Sequence, residues 1–258
     1  MTNRYIKILP ALLVITLTAC SSTPKVDEAT RLRGASAANV QLGLAYMGDG
    51  KLETAMEKFK KAIEQDPKNA SAYESIAVLY GQLNEQELAE KSFRKALRLD
   101  PDDSRTHNNY GLLLCRQGHY IKAEEQFNAA ASDPLYQGIA GTLTNAGVCA
   151  SRIPDAEKAE EYFRRALDTD PRYIPALMHM ISTMYSQGNY MNARGYLQRF
   201  EIIAPHSAES LWLGVRIEDA LRDYNASARY GLLLSNNFPD TEQTKRLREW
   251  ENERRHRQ

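Results

Sequence analysis

Small and apolar residues recur along this chain at a spacing of 34. Alanines stand at Ala55, Ala89, Ala123, Ala159 and Ala193, and four residues after them come Phe59, Phe93, Phe127, Phe163 and Leu197. Three further on are Ala62, Ala96, Ala130 and Ala166, and Pro67, Pro101, Pro134, Pro171, Pro205 and Pro239 close the units. Upstream, Gly43, Ala77, Gly111 and Gly147 fall in step. Steps of three and four keep residues on one helix face, so each period predicts a helical hairpin. Glycine or alanine at the crossing points lets the two backbones approach, and the aromatic fills the space between one hairpin and the next. Proline just past the second helix stops it. A lone hairpin cannot bury its apolar stripe, so successive units must stack.

The period resembles the tetratricopeptide repeat (TPR). That resemblance implies an all-α solenoid of helix-turn-helix units in a right-handed superhelix with a concave face. Six units are expected, at 36–69, 70–103, 104–139, 140–173, 174–207 and 208–241. The third carries two extra residues in 131–139 (ASDPLYQGI), a longer turn before unit four. Unit five keeps Ala193 and Pro205 but has Ile181 and Phe200 at usually small positions. Unit six has Val215, Ser227 and Leu234 there, with only Pro239 in register. Residues 242–258 read as a charged capping helix, with Leu247 and Trp250 three apart, and a solvated basic tail.

Residues 1–20 read MTNRYIKILPALLVITLTAC. Arg4 and Lys7 precede an apolar stretch, 8–17, that is shorter than the roughly 20 residues a bilayer span requires. This is the pattern of an export signal. Leu17-Thr18-Ala19-Cys20 resembles a bacterial lipobox, which implies cleavage after residue 19 and acylation of Cys20. Two or more acyl chains anchor a protein stably. Ser21 in second place implies sorting to the outer membrane, on the periplasmic face. The alternative is an ordinary secretory signal with an incidental cysteine. Residues 20–35 are polar after the cysteine, lack an apolar face, and read as a lipid-anchored flexible tether.

Charge and motifs narrow the function. The chain has 33 basic and 33 acidic residues, a balance that argues against nucleic-acid binding, which feeds on excess Lys and Arg. The five histidines are scattered, and no HExxH, CxxC, GxSxG, Walker or GxGxxG pattern occurs. No metal, cofactor, small-molecule substrate or enzymatic activity is therefore expected. Cys115 and Cys149 lie on the first helices of units three and four. Neighbouring first helices about 8–10 Å apart can bring two Cα atoms within disulfide reach, and export places them in an oxidising compartment. Two buried thiols acting as small apolar groups is the other reading.

Two binding sites are candidates. On the first helix of unit one, Ala37, Val40, Leu44 and Met47 occupy the positions that face a TPR groove, and Glu74 and Val78 continue the line in unit two. This stripe suits an apolar partner segment, unless the preceding segment folds over it or the positions are core misassigned by one residue. The second site, Arg105, Asn109 and Asn145, resembles the carboxylate clamp of chaperone-binding TPR domains. The match fails in unit five, where Pro175 and His179 stand at the remaining clamp positions.

A lipobox followed by six TPR units resembles the PilF/PilW family of type IV pilus assembly lipoproteins. The strings NNYGLLLC (108–115) and NAGVCA (145–150) carry that likeness beyond a generic repeat. The resemblance implies a pilotin, which binds secretin subunits of the type IV pilus and promotes their outer-membrane localisation and multimerisation. The alternative is a generic outer-membrane scaffold serving β-barrel assembly or peptidoglycan enzymes.

Overall fold

The computed structural model describes residues 27–153 and 156–255. Thirteen helices run through them. The first six are α1 (Glu28–Gly48), α2 (Leu52–Gln65), α3 (Ala70–Gln82), α4 (Gln86–Leu99), α5 (Ser104–Arg116) and α6 (Tyr120–Ala131). Then follow α7 (Ile139–Ala150), α8 (Ala156–Thr169), α9 (Ile174–Ser186) and α10 (Tyr190–Ile203). The last are α11 (Ala208–Ala220), α12 (Tyr224–Asn237) and α13 (Glu242–Arg255). Each odd-numbered helix up to α11 packs most extensively on the even-numbered helix after it, making six hairpins. The backbones of odd helices also come close to the next odd helix, whereas successive even helices lie farther apart. Long side chains bridge the even helices, as where Tyr162 of α8 donates to Glu124 of α6 at 2.7 Å and Tyr230 of α12 to Glu201 of α10 at 2.6 Å. The stack therefore curves with the odd helices on its inner face.

What holds a hairpin together is a size-complementary pair sixteen residues apart. A methyl added at Gly43 would lie 2.4 Å from the Phe59 ring, and at Gly111 and Gly147 it would lie 2.7 and 2.5 Å from Phe127 and Phe163. Those phenylalanines are fully buried. Unit five solves the same problem with Ile181 opposite Leu197, both buried. Unit six differs from the sequence expectation. Gly231 stands where phenylalanine belongs, with Val215 opposite, and the pairing passes one residue earlier on both helices, to Gly214 and Tyr230. A methyl at Gly214 would lie 2.7 Å from the tyrosine ring. The hairpin turns repeat too. Gly50, Gly118 and Gly188 have φ of +75°, +80° and +76°, while Asn84 and Arg222 hold the same place in units two and six at +62° and +61°. Glycine adopts that conformation without cost, asparagine tolerates it, and arginine does so against its preference.

Both ends depart from the plain repeat. Residues 28–35 are helix rather than tether: α1 begins eight residues before unit one. The cause is local. Asp27 caps the helix, accepting from the Thr30 backbone N–H at 2.7 Å and from its hydroxyl at 2.9 Å, and Glu28 opposes the helix dipole in the first turn. Cys20 and the export signal lie outside the described residues. At the other end α13 covers α11 and α12, with Leu247 buried and Trp250 edge-on to Trp212 at 6.5 Å. None of the described helices is long and apolar enough to cross a membrane.

Cys115 on α5 and Cys149 on α7 form a disulfide, Cα atoms 5.8 Å apart, that joins units three and four across the longer turn. Closing a loop of 34 residues removes roughly 4 kcal/mol of unfolded-chain entropy in the simplest treatment. Reduction should lower stability by about 2–4 kcal/mol, read as a drop in the melting temperature that a Cys115→Ala/Cys149→Ala variant shows without reductant. A second prediction concerns the paired sizes. Gly147→Ala should cost about 1–3 kcal/mol by overpacking. Adding Phe163→Leu should give a double variant at least about 0.5 kcal/mol more stable than the sum of the two single losses, since the sites touch. Strictly additive losses in denaturant melts would refute the pairing.

Candidate functional site

The inner face carries a chain of polar side chains spanning three repeats. Glu74 of α3 lies at its head and is buried. The Asn109 amide of α5 donates to Glu74 Oε1 at 2.7 Å, and the Arg105 guanidinium stands 3.7 Å from Oε2. Asn108 donates to Asn109 Oδ1 at 3.3 Å. Its own Oδ1 then accepts from Thr142 Oγ1 at 3.2 Å and Asn145 Nδ2 at 3.0 Å, both on α7. Side chains linked this way hold one another's rotamers, so the ladder is pre-organised. The helix caps help to place it. Asp103 accepts from the Arg105 backbone N–H at 3.2 Å and the Thr106 hydroxyl at 2.5 Å, which fixes the start of α5.

The two sites read from sequence are thus redistributed. Arg105 and Asn109 do come together, but the carboxylate they hold is the chain's own Glu74, which the sequence assigns to the apolar stripe, and Asn145 joins them only through Asn108. Asn108 and Thr142, the middle of the ladder, are absent from the sequence-derived set, although Asn108 opens the NNYGLLLC string. His179 serves no clamp; its ring stacks on Phe163 at 5.1 Å. The apolar stripe is corrected more sharply. Val40 is 4% exposed and packs with Ala62 and Ala72. Leu44 and Met47 are half-buried against the Phe59–Leu79 cluster, and Val78 against the main core. Of the four unit-one positions only Ala37 faces out, and the large apolar residue that α1 exposes is Leu42. One position along a helix turns a side chain by about 100°, enough to exchange groove for core.

Farther along the inner face the chemistry turns aromatic. Arg216 of α11 lies 4.2 Å over the Tyr185 ring and 5.9 Å over Trp212. Behind it Arg194 pairs with the buried Glu218. No group of three or more His, Cys, Asp or Glu among the described residues is arranged to hold a metal ion.

Six stacked hairpins with a polar inner face define the class. Sequence patterns described as "TPR repeat" and "Tetratricopeptide repeat" match 43–84, 70–103, 92–125 and 140–173, and the protein is a TPR solenoid. The chain is 32% identical over 231 residues to the type IV pilus assembly protein PilF of Pseudomonas aeruginosa, covering 88% of this chain and 92% of that one. It belongs to the PilF family. The solved structure of that PilF superposes with a TM-score of 0.74 at 31% identity, over 86% of this chain and 99% of the other. PilW, described as a widely conserved type IV pilus biogenesis factor, gives 0.73 at 30% identity, over 82% and 97%.

The ladder generates a pH prediction. Burial raises the Glu74 carboxyl above its ordinary 4.5, outweighing the opposite pulls of Arg105 and Asn109. An acid with a raised folded pKa contributes stability that is fully present below the unfolded value and lost as pH rises through the folded one. Glu74→Gln should therefore be at least as stable as the parent at about pH 7, and the two should converge towards pH 4. Thermal unfolding at both pH values checks this. A variant less stable at pH 7 would mean that the ion pair with Arg105 outweighs desolvation.

Proposed function

We propose that this chain is a lipid-anchored pilotin of the type IV pilus. It captures secretin subunits on its inner face and promotes their localisation and multimerisation in the outer membrane. The observation that carries this reading is kinship to PilF and PilW along nearly the whole folded length. Membership of a pilus-assembly family supports a role in pilus biogenesis. Capture of secretin and acylation of Cys20 are the further steps proposed here. The physical rationale is confinement: a lipid on Cys20 holds the solenoid in two dimensions and raises the effective concentration of any bound subunit near the membrane. The protein works by binding, through side-chain amides that match an extended main chain, and needs no cofactor or catalysis.

Pull-down from detergent-solubilised envelopes tests the reading. The mature chain should recover secretin subunits. An Arg105→Glu/Asn145→Leu variant, folded by circular dichroism, should recover at least about tenfold fewer, as expected when charged and amide hydrogen bonds are lost together. Cys20→Ala should leave the fold intact and displace secretin rings from the outer membrane. Secretin absent from the parent's eluate would overturn the proposal.

A further inference from the structure

The last repeat holds a cleft that the inner-face reading does not use. Gly231 sits where the first four units bury phenylalanine, and the pairing has moved to Gly214 and Tyr230. The missing ring leaves a space of about 360 Å³ between α12 and α13, at the lower end of the roughly 300–1,000 Å³ of small-ligand sites. Its floor is Val215, Gly231 and Leu247, and its walls are Tyr224 and Trp250. Room remains above Gly231, where an added methyl would meet Leu247 at 3.5 Å and Val215 at 3.9 Å, ordinary contacts.

The rim carries both signs of charge, from Glu251, Arg254 and Arg255. Arg254 is held in place: it pairs with Asp219 on α11 and lies 5.1 and 4.7 Å over the rings of Tyr224 and Trp250. Arg255 donates to the neutral side chain of Asn252 at 2.6 Å. An apolar cleft beside two guanidiniums suits a carboxylate with an apolar body. Glu251 restricts the choice further. A fatty acid would set its chain against that carboxylate, whereas the last residue of a polypeptide has an N–H to give it.

We propose that this cleft binds the C-terminal residue of a partner polypeptide. The apolar or aromatic side chain enters the cleft, the terminal carboxylate meets Arg255 with Arg254 behind it, and the residue's amide N–H donates to Glu251. The site is separate from the polar ladder, which lies on α3, α5 and α7.

The chain carries its own reporter, since both of its tryptophans, Trp212 and Trp250, form the edge-on pair beside the cleft. The full chain in phospholipid vesicles is titrated with a short peptide ending in phenylalanine, and with the same peptide as its C-terminal amide. Saturable change of tryptophan fluorescence is expected with the acid, and at least about tenfold weaker binding with the amide, as a lost charge-assisted bond gives. Arg255→Ala should weaken the acid peptide to a similar extent. Gly231→Phe should abolish binding by filling the cleft while the helical signal persists, and the Arg255 variant decides the matter should that substitution unseat α13. Equal binding of acid and amide, or no saturable change with either, overturns the proposal.

Discussion

Close approach of two helices at a residue without a side chain is the constraint from which this architecture follows. Where Gly43, Gly111 and Gly147 stand, the backbone takes the place a methyl group would occupy, and a buried phenylalanine lies against it. Neither half of the pair is useful alone: the glycine without the ring leaves a void, and the ring without the glycine clashes. Because the two lie on consecutive helices, the pair sets the geometry of the hairpin. Repeating the hairpin sets the curvature, and curvature puts the odd-numbered helices on the inside. The composition of the inner face is thereby restricted to what those helices can present.

On that face the energetics run the other way from the core. Burying Glu74 costs desolvation free energy, which a fold seeking only stability would avoid. Arg105 and Asn109 offset part of it, and Asn108 extends the network to Thr142 and Asn145. A buried network of this kind gives orientation more than stability, since each amide is aimed by its neighbour before any partner arrives. The disulfide between Cys115 and Cys149 joins α5 to α7, two of the three repeats that the network spans. The stretch with the longest turn is therefore also the one tied by a covalent bond, and the ladder's register does not depend on packing alone.

Most of the fold was legible because a repeat states its rule several times. Four glycine or alanine positions and four phenylalanines at one period leave little freedom in where the helices start and which faces they bury. Legibility failed where the rule is stated once or altered. Val215 looks like a broken small position until the pairing is seen to have moved to Gly214 and Tyr230, a step that no spacing at 34 can reveal. Asp27 makes helix of residues that composition alone reads as tether, because a cap acts through local hydrogen bonds and not through periodicity. The inner-face positions suffered most. Choosing between Val40 as groove and Val40 as core needs the helix rotation to within one residue. Glu74 could be counted with an apolar stripe only because its partner, Asn109, lies a whole repeat away.

The two ends of the solenoid show what a repeat must do when it has no neighbour. Among the described residues the first unit extends its opening helix upstream of the repeat, to Glu28. The last unit has a free face, and α13 covers it with few apolar residues, chiefly Leu247 and Trp250. An ideal cap would need a large residue at 231 to fill the seam. Glycine there is costly for a helix interior, by roughly 0.5–1 kcal/mol relative to alanine, and it leaves the seam open beside two arginines. A position that weakens its helix, breaks the repeat and opens a cleft at once is difficult to explain by stability. It is consistent with a surface kept for something else to occupy.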